Sequence, residues 1–143
     1  MDKYDYLKLD NQLCFRLYAA SREVIKLYKP LLDKYDLTYT QYVTMLVLWE
    51  EEKATVKDIG TRLHLDSGTL TPLLKKLESK GLIIRYRDKN DDRVVFAELT
   101  QKGAELKEVI IEVPNKMICK TNITNEQGEE LKKNLDNLLK VLE

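Results

Sequence analysis

The chain has 143 residues, of which 43% are hydrophobic and 34% are charged, a length and composition typical of one globular domain with its own core. Its 24 Lys and Arg residues balance 24 Asp and Glu residues, so binding to nucleic acid would have to depend on local charge. No apolar run approaches the roughly 20 residues of a membrane span, and the N-terminus lacks the pattern of a signal peptide. We therefore expect a cytoplasmic protein without a membrane partner, in a compartment that keeps thiols reduced.

The first predicted helix runs from a cap at Asp10 or Asn11 to about Tyr35. Pro30 falls late in this helix and is expected to kink or split it. Cys14 lies near its start, whereas the other cysteine, Cys119, lies far downstream. The apolar positions of the helix recur at helical spacing, at Leu13, Leu17, Val24, Leu27 and Leu31.

A second helix is predicted from Tyr39 to about Glu51. Thr38 and Gln41 form the pattern of a capping box at its start, in which each side chain accepts a hydrogen bond from the other residue's backbone. The helix is apolar nearly all round, which is typical of a central, buried helix.

Two short helices follow, predicted over 56–63 and over 67–80, with a tight turn at 65–67 between them. Thr55 and Asp58 cap the first, Asp66 or Ser67 caps the second, and Gly81 ends it. This is the pattern of a helix-turn-helix.

The β-rich runs 82–87 and 94–99 flank a polar turn cluster, which predicts a β-hairpin. A helix-turn-helix followed by a hairpin indicates a winged helix, so the fold class is mainly α with a small β-hairpin wing (α+β).

The C-terminal part is predicted to be helical from Thr100 onward, with an interruption at Pro114. Thr124 and Gln127 form a further capping-box pattern at the start of the last helix. Four leucines there are spaced by four, three and four residues, at Leu131, Leu135, Leu138 and Leu142. Such a seam requires a partner surface.

The helix over 67–80 has one apolar face and a start of small, polar residues that could approach base edges, while its N-terminus favours phosphate. The candidate DNA contacts are Ser67, Thr69, Thr71, Pro72, Lys75 and Lys76 in this helix and Arg85, Arg87, Asp91 and Arg93 in the hairpin. An Asp91–Arg93 pair could stiffen the wing tip and direct the guanidinium towards a minor groove. The net charge over 56–93 is only +3, from nine basic and six acidic residues, so a solvated charged hairpin is the alternative.

The chain resembles the MarR family of winged-helix repressors and, within it, the organic-hydroperoxide regulators (OhrR-like) of the two-cysteine type. The resemblance extends over nearly the whole chain and rests on the runs 13–18, 35–42, 65–78 and 91–93. It implies one MarR-type domain over 1–143, with dimerisation helices at about 8–35 and 101–143 and a winged-helix lobe at about 38–100. It also implies an obligate homodimer that binds pseudo-palindromic operator DNA and needs no cofactor.

The resemblance further implies that organic hydroperoxide oxidises Cys14 and so releases the DNA. Two tyrosines of that group hydrogen-bond the thiolate, and they correspond here to Tyr28 and Tyr39. Cys119 stands where a cysteine of the other subunit resolves the sulfenic acid, whereas single-cysteine relatives use small thiols instead.

Helical geometry constrains this site. Tyr28 follows Cys14 by 14 residues, so both lie on nearly the same helix face but about 21 Å apart at ~1.5 Å per residue. Unless the helix breaks, the tyrosine that meets Cys14 must come from a second subunit that crosses antiparallel. Tyr18, four residues after Cys14, is the neighbour within the chain.

Other interpretations remain open at this stage. Cys14 could be a packed small hydrophobe, and Cys119 an ordinary thiol near a helix end. A MarR regulator could respond to a small aromatic ligand instead of an oxidant. A thiol peroxidase is a third possibility, but no leaving-group acid stands out, and we expect no enzyme. One histidine and two distant cysteines do not support a metal site.

Overall fold

The computed structural model describes residues 2–143, which fold into two compact units, with the division between Val113 and Pro114. Two 3-10 turns come first, Lys3–Leu7 and Leu9–Asn11. The helices are α1 (Leu13–Asp33), α2 (Tyr39–Glu51), α3 (Val56–Leu63), α4 (Ser67–Ser79), α5 (Gln101–Ile110), α6 (Glu112–Thr121) and α7 (Asn125–Leu142). The strands are β1 (Lys53–Thr55), β2 (Ile83–Arg87) and β3 (Val95–Leu99). Within residues 2–143, no helix combines the length and the apolar character that crossing a membrane requires.

The start of α1 differs from the prediction of a cap at Asp10 or Asn11. Gln12 occupies the N-cap position without a side-chain cap, and its amide nitrogen instead donates to the Tyr6 carbonyl oxygen at 2.6 Å and the Lys8 carbonyl oxygen at 2.9 Å. Hydrogen bonds from Gln12 to the preceding 3-10 turns therefore take the place of the expected side-chain cap at the start of α1.

Pro30 does not split α1, which continues without interruption to Asp33. A proline inside a helix removes one backbone hydrogen bond. Tertiary packing offsets this loss, because Leu32, in the turn that follows, is only 1% exposed and belongs to the core. The helix ends where Asp36 adopts a positive φ of 55°.

The α2 helix is the buried centre of the first unit, as its sequence predicted. The Thr38–Gln41 capping box is present, and seven of the helix's residues are buried: Gln41, Tyr42, Thr44, Met45, Val47, Leu48 and Trp49. The Trp49 indole nitrogen donates to the Gly103 carbonyl oxygen at 2.9 Å, which connects α2 to α5.

The helix-turn-helix of α3 and α4 is confirmed. Thr55 caps α3 by accepting from the Asp58 backbone N–H at 3.1 Å, and Asp66 caps α4 by accepting from the Thr69 backbone N–H at 2.7 Å. The turn brings the Leu65 carbonyl oxygen so close to Gly60 that a Cβ there would lie 2.8 Å from it. Glycine is therefore required for this close approach.

The wing hairpin is confirmed, but the sheet has a third strand that the sequence analysis missed. The strand order is β1-β3-β2 and both pairings are antiparallel. Ala97 lies at the centre, opposite Ala54 on one side and Arg85 on the other. The β1 strand has only three residues, too few to display an alternating pattern.

In the second unit, the Thr124–Gln127 capping box at the start of α7 is present. Of the four spaced leucines, Leu131 and Leu142 are exposed and the other two are partly buried. The predicted interruption near Pro114 lies three residues earlier, at Ile111, and Pro114 itself falls in the first turn of α6. The first turn of a helix tolerates proline because its N–H groups have no partner within the helix.

Replacing Gly103 with alanine is expected to destabilise the protein. The added Cβ would overlap the Leu82 carbonyl oxygen and lie 3.2 Å from Leu99 Cδ2, so α5 would have to move away from the start of the wing. We expect a loss of about 2–3 kcal/mol in the free energy of unfolding, measured by urea titration.

Gly128→Ala is the matched control, because a Cβ there would meet only Ile123 Cγ2, at 3.9 Å. Alanine inside a helix is better than glycine by about 0.5–1 kcal/mol, so this variant should be neutral or slightly stabilised. Equal changes in the free energy of unfolding for the two substitutions would contradict the close approach of α5 to Leu82.

Candidate functional site

The start of α4 presents an exposed polar surface, as predicted. Its apolar face, formed by Leu70, Leu73, Leu74 and Leu77, is buried. The opposite side exposes Ser67, Thr69, Pro72, Lys75 and Lys76, and Thr71 is half-buried. The hydrogen bond from the Thr69 backbone N–H lowers the pKa of the Asp66 carboxyl. Asp66 therefore stays ionised as the cap of this helix, and the exposed side chains stand on a fixed first turn.

A groove of about 900 Å³ runs between α3, the start of α4 and the wing. Ser67 and Thr71 line it on the α4 side, and Arg85 and Arg93 line it on the wing side. The structure thus brings predicted residues from two separate segments of the chain to one concave surface.

The wing tip contains the predicted Asp91–Arg93 pair. Arg93 Nε donates to Asp91 Oδ1 at 3.0 Å and its terminal nitrogen to Oδ2 at 3.2 Å, so the contact is bidentate. This pairing lowers the pKa of Asp91. The pair lies in the turn rather than on a strand, since β3 begins only at Val95. The Arg93 side chain stays 90% exposed, so the pair orients the guanidinium without covering it.

The other two arginines of the wing are held differently. Arg87 donates to the Asp92 carbonyl oxygen at 2.7 Å, within the turn. Arg85 lies against Glu78 of α4, with 3.2 Å between its terminal nitrogen and Glu78 Oε1, and its backbone N–H donates to the same carboxylate. The role of Glu78 was not predicted from the sequence, because a contact between a helix and the strand after it has no regular spacing. Arg85 therefore braces the wing against α4.

Cys14 is an exposed thiol in the first turn of α1, so it is not packed inside its own chain. Tyr18, one turn further on, is 59% exposed, and its ring lies 5.1 Å from the guanidinium of Arg22. Cys119 is also exposed, in α6 of the second unit.

Tyr28 and Tyr39 come together within one chain, although they lie on different helices. Their rings stack with centroids 4.8 Å apart. Tyr42 joins them at 5.8 Å from Tyr28 and 6.3 Å from Tyr39. Sequence reasoning missed Tyr42, although its position three residues after Tyr39 places both on one helix face. A small cavity of about 300 Å³, with apolar walls from Ile25, Leu32 and Leu37, adjoins Tyr28 and Tyr39.

Burial raises the pKa of all three phenols. Burial, and then the adjacent Tyr39, raises the pKa of Tyr28, and burial alone raises that of Tyr39. Tyr42 changes most, since burial followed by its two tyrosine neighbours raises its pKa to about 12. The cluster therefore keeps its protons, and its hydroxyls remain hydrogen-bond donors well above neutral pH.

The Tyr42 phenol should make stability depend on alkaline pH. Its pKa is raised in the folded chain, so its stabilisation is fully present below the ordinary value of 10.0 and is lost as pH rises through about 12. Urea unfolding at about pH 9 and about pH 11.5 should show this fall. Tyr42→Phe should show a smaller fall between the two pH values, whereas an unchanged pH dependence would contradict the assignment.

Known proteins match this chain over nearly its whole length. Residues 26–110 match the family described as transcriptional regulator SarA/Rot. The organic hydroperoxide resistance transcriptional regulator of Bacillus subtilis is 50% identical over 141 residues, which covers 99% of this chain and 96% of the relative.

Solved structures agree with this likeness. AbfR of Staphylococcus epidermidis superposes in its reduced, DNA-bound form with a TM-score of 0.81 at 34% identity, covering 99% of this chain and 100% of that one. Its disulfide form gives 0.67 at 37% identity and covers 96% of each chain. A mutant MarR of Escherichia coli in complex with operator DNA shares the fold, with a TM-score of 0.82 at 23% identity, covering 97% of this chain and 99% of that one. The chain therefore belongs to the MarR- and SarA/Rot-type family of winged-helix transcriptional regulators, in the group of the organic hydroperoxide regulators.

Proposed function

We propose that the protein is a cytoplasmic, DNA-binding transcriptional repressor that senses organic hydroperoxides through oxidation of Cys14. The observation that carries this proposal is an exposed thiol in the first turn of α1. The chain around it is 50% identical, over 141 residues, to an organic hydroperoxide resistance regulator. The protein acts as a regulator and not as an enzyme.

The DNA-binding surface combines the start of α4 with the wing. Ser67, Thr69, Thr71 and Pro72 face the base edges of the major groove, and Lys75, Lys76 and Arg87 neutralise phosphates. Arg93, oriented by Asp91, reaches the minor groove, and Arg85, paired with Glu78, holds the wing in place beside α4. Reduced AbfR has been solved bound to DNA, and its likeness in fold supports this arrangement.

The functional unit is a homodimer on a pseudo-palindromic operator. Large apolar side chains are exposed at both ends of the chain, including Leu13 and Phe15 in α1, Ile118 in α6 and Leu131 and Leu142 in α7. Helices at about 8–35 and 101–143 bury these surfaces between subunits, and the lobe at about 38–100 binds DNA. Two-fold symmetry of the protein then matches two half-sites of DNA.

The sensor site takes residues from both subunits. Cys14 and Tyr28 are separated by about 21 Å along one unbroken helix, at ~1.5 Å per residue, so the stacked Tyr28 and Tyr39 that meet the sulfur belong to the other subunit. Their raised pKa values keep both phenols protonated, which a donor to a thiolate requires. Hydrogen bonds to the anion favour it over the thiol, and Tyr18, four residues after Cys14, is the third tyrosine that supports the thiolate, from within its own chain.

The chemistry proceeds in two steps. The Cys14 thiolate attacks the terminal oxygen of the hydroperoxide, which gives a sulfenic acid and releases the alkoxide, protonated to the alcohol. The Cys119 thiol of the other subunit then condenses with the sulfenic acid to a disulfide and water. Oxidation favours a dimer whose reading helices no longer fit successive major grooves.

A second candidate is the same regulator controlled by a small aromatic ligand instead of an oxidant. The cavity of about 300 Å³ beside Tyr28 and Tyr39 favours it, because sites for small molecules are concave and mostly apolar. In that case a phenolic ligand would release DNA even from the Cys14→Ser variant, which lacks the thiol.

Cys14→Ser should abolish the response to oxidant without weakening DNA binding. Serine keeps the size of the side chain but is not oxidised by cumene hydroperoxide. Gel-shift titrations of a duplex selected by the wild-type protein should show release of the wild type and none of the variant. Continued oxidant-driven release from Cys14→Ser would reject the thiol as the sensor.

Cys119→Ser should remove a covalent dimer. Oxidised wild-type protein should run as a dimer on a non-reducing gel, because the disulfide joins two subunits, and the variant should run as a monomer. An oxidised wild type that remains monomeric would exclude Cys119 as the resolving thiol and favour a small thiol instead.

A further inference from the structure

Lys80 is a basic residue of the DNA-binding lobe that faces away from the groove. It occupies the C-cap position of α4, at the opposite end from the side chains that read DNA. Its ammonium group donates to the Asp36 carbonyl oxygen and to Gln41 Oε1, the latter at 3.0 Å. The Asp36 carboxylate lies 3.7 Å away. The three donors of the ammonium thus face three oxygens of the α1–α2 junction.

The acceptors of Lys80 are themselves fixed in place. Gln41 is 4% exposed, and its Oε1 also accepts from the Thr38 backbone N–H at 3.1 Å, within the cap of α2. Asp36 holds the left-handed conformation that ends the turn after α1. A displaced Lys80 would leave a buried amide oxygen with one partner fewer, which is unfavourable.

The same end of α4 is also connected to α5. Lys102 Nζ donates to the Lys80 carbonyl oxygen at 2.8 Å, and Thr100 Oγ1 donates to the Gly81 carbonyl oxygen at 2.6 Å. The C-terminal end of the reading helix is therefore joined to two elements at once.

The junction that receives Lys80 lies in the chain between the two proposed sensor tyrosines, Tyr28 of α1 and Tyr39 of α2. The hydroxyl of Tyr35, one residue before Asp36, donates to the Glu112 carboxylate and lies 3.1 Å from the Val109 carbonyl oxygen. The turn after α1 is thus fastened to the end of α5 as well as to the end of α4.

We propose that Lys80 is a positioning residue for DNA reading, and not a phosphate ligand. This inference rests on the proposed function. The α4 helix is about 20 Å long at ~1.5 Å per residue, so a pivot of about 10° at its C-terminal end displaces its first turn by about 3 Å. Such a displacement exceeds the tolerance of a hydrogen bond to a base edge. Lys80 therefore controls sequence discrimination, whereas phosphate contacts control affinity for any duplex.

The test compares Lys80→Met with Lys76→Met, the proposed phosphate contact. Binding is measured on a duplex selected by the wild-type protein from a random pool and on a scrambled duplex of equal length, over a range of salt concentrations. Lys80→Met should weaken binding to the selected duplex about ten-fold, with little change on the scrambled duplex or in the salt dependence. Lys76→Met should weaken both and lower the salt slope by about 0.9 for each lost phosphate contact.

Lys102→Met provides a second variant, because Lys102 is exposed and its loss leaves the core intact. It should lower the ratio of selected to scrambled affinity in the same direction as Lys80→Met, by a smaller factor. Lys80→Arg, which keeps the donors, should recover most of the discrimination.

Three results would overturn the inference. They are a reduced salt slope in Lys80→Met, an unchanged ratio of the two affinities, and a parallel fall of both affinities together with the thermal midpoint. A wild-type protein that selects no duplex would instead reject the proposed function, so the two failures are distinguishable.

Discussion

The length of α1 is the constraint on which the proposed sensor depends. The helix runs unbroken from Leu13 to Asp33, with the exposed thiol in its first turn and the stacked phenols near its last. A stiff helix cannot bring its two ends together, so a site that contains both must be built from two chains. Dimerisation then becomes part of the redox chemistry. The exposed apolar residues at both ends of the chain provide a surface for it.

Several basic side chains of the DNA-binding lobe are paired within the protein, so only part of its positive charge faces DNA. Arg62 pairs with Glu50 at 2.7 Å, Arg85 with Glu78 and Lys80 with the α1–α2 junction. An exposed ion pair such as Arg62–Glu50 adds little to stability. The more buried contacts of Arg85 and Lys80 fix the orientation of these side chains. The charge offered to DNA is concentrated in the remaining basic residues of α4 and the wing tip, next to a helix N-terminus that itself favours phosphate.

The sequence predicted the parts of the fold that local chemistry determines. The caps at Thr38, Thr55 and Asp66 and the stop at Gly81 marked α2, α3 and α4 closely. The prediction was wrong where tertiary contacts prevail, as at Gln12, which bonds back to the 3-10 turns. Of the two expected effects of Pro30, a kink or a split, the split does not occur, because α1 continues to Asp33 and packs into the core. In the site, the resemblance indicated Tyr28 and Tyr39. Only the fold shows that their rings stack, that Tyr42 packs beside them and that Arg85 forms an ion pair with Glu78.

The turn after α1 is where a signal from the dimerisation helices can reach the DNA-binding lobe. The lobe is built around α2, in which seven residues are buried, and Trp49 connects α2 to α5. Besides the buried Leu37, hydrogen bonds and ion pairs hold the turn after α1, and they are made by Lys34, Tyr35 and Lys80. Polar contacts of this kind exchange partners more readily than a packed core does. A shift of the dimerisation helices would therefore turn the lobe as one body about this turn and change the spacing of the two α4 helices of the dimer.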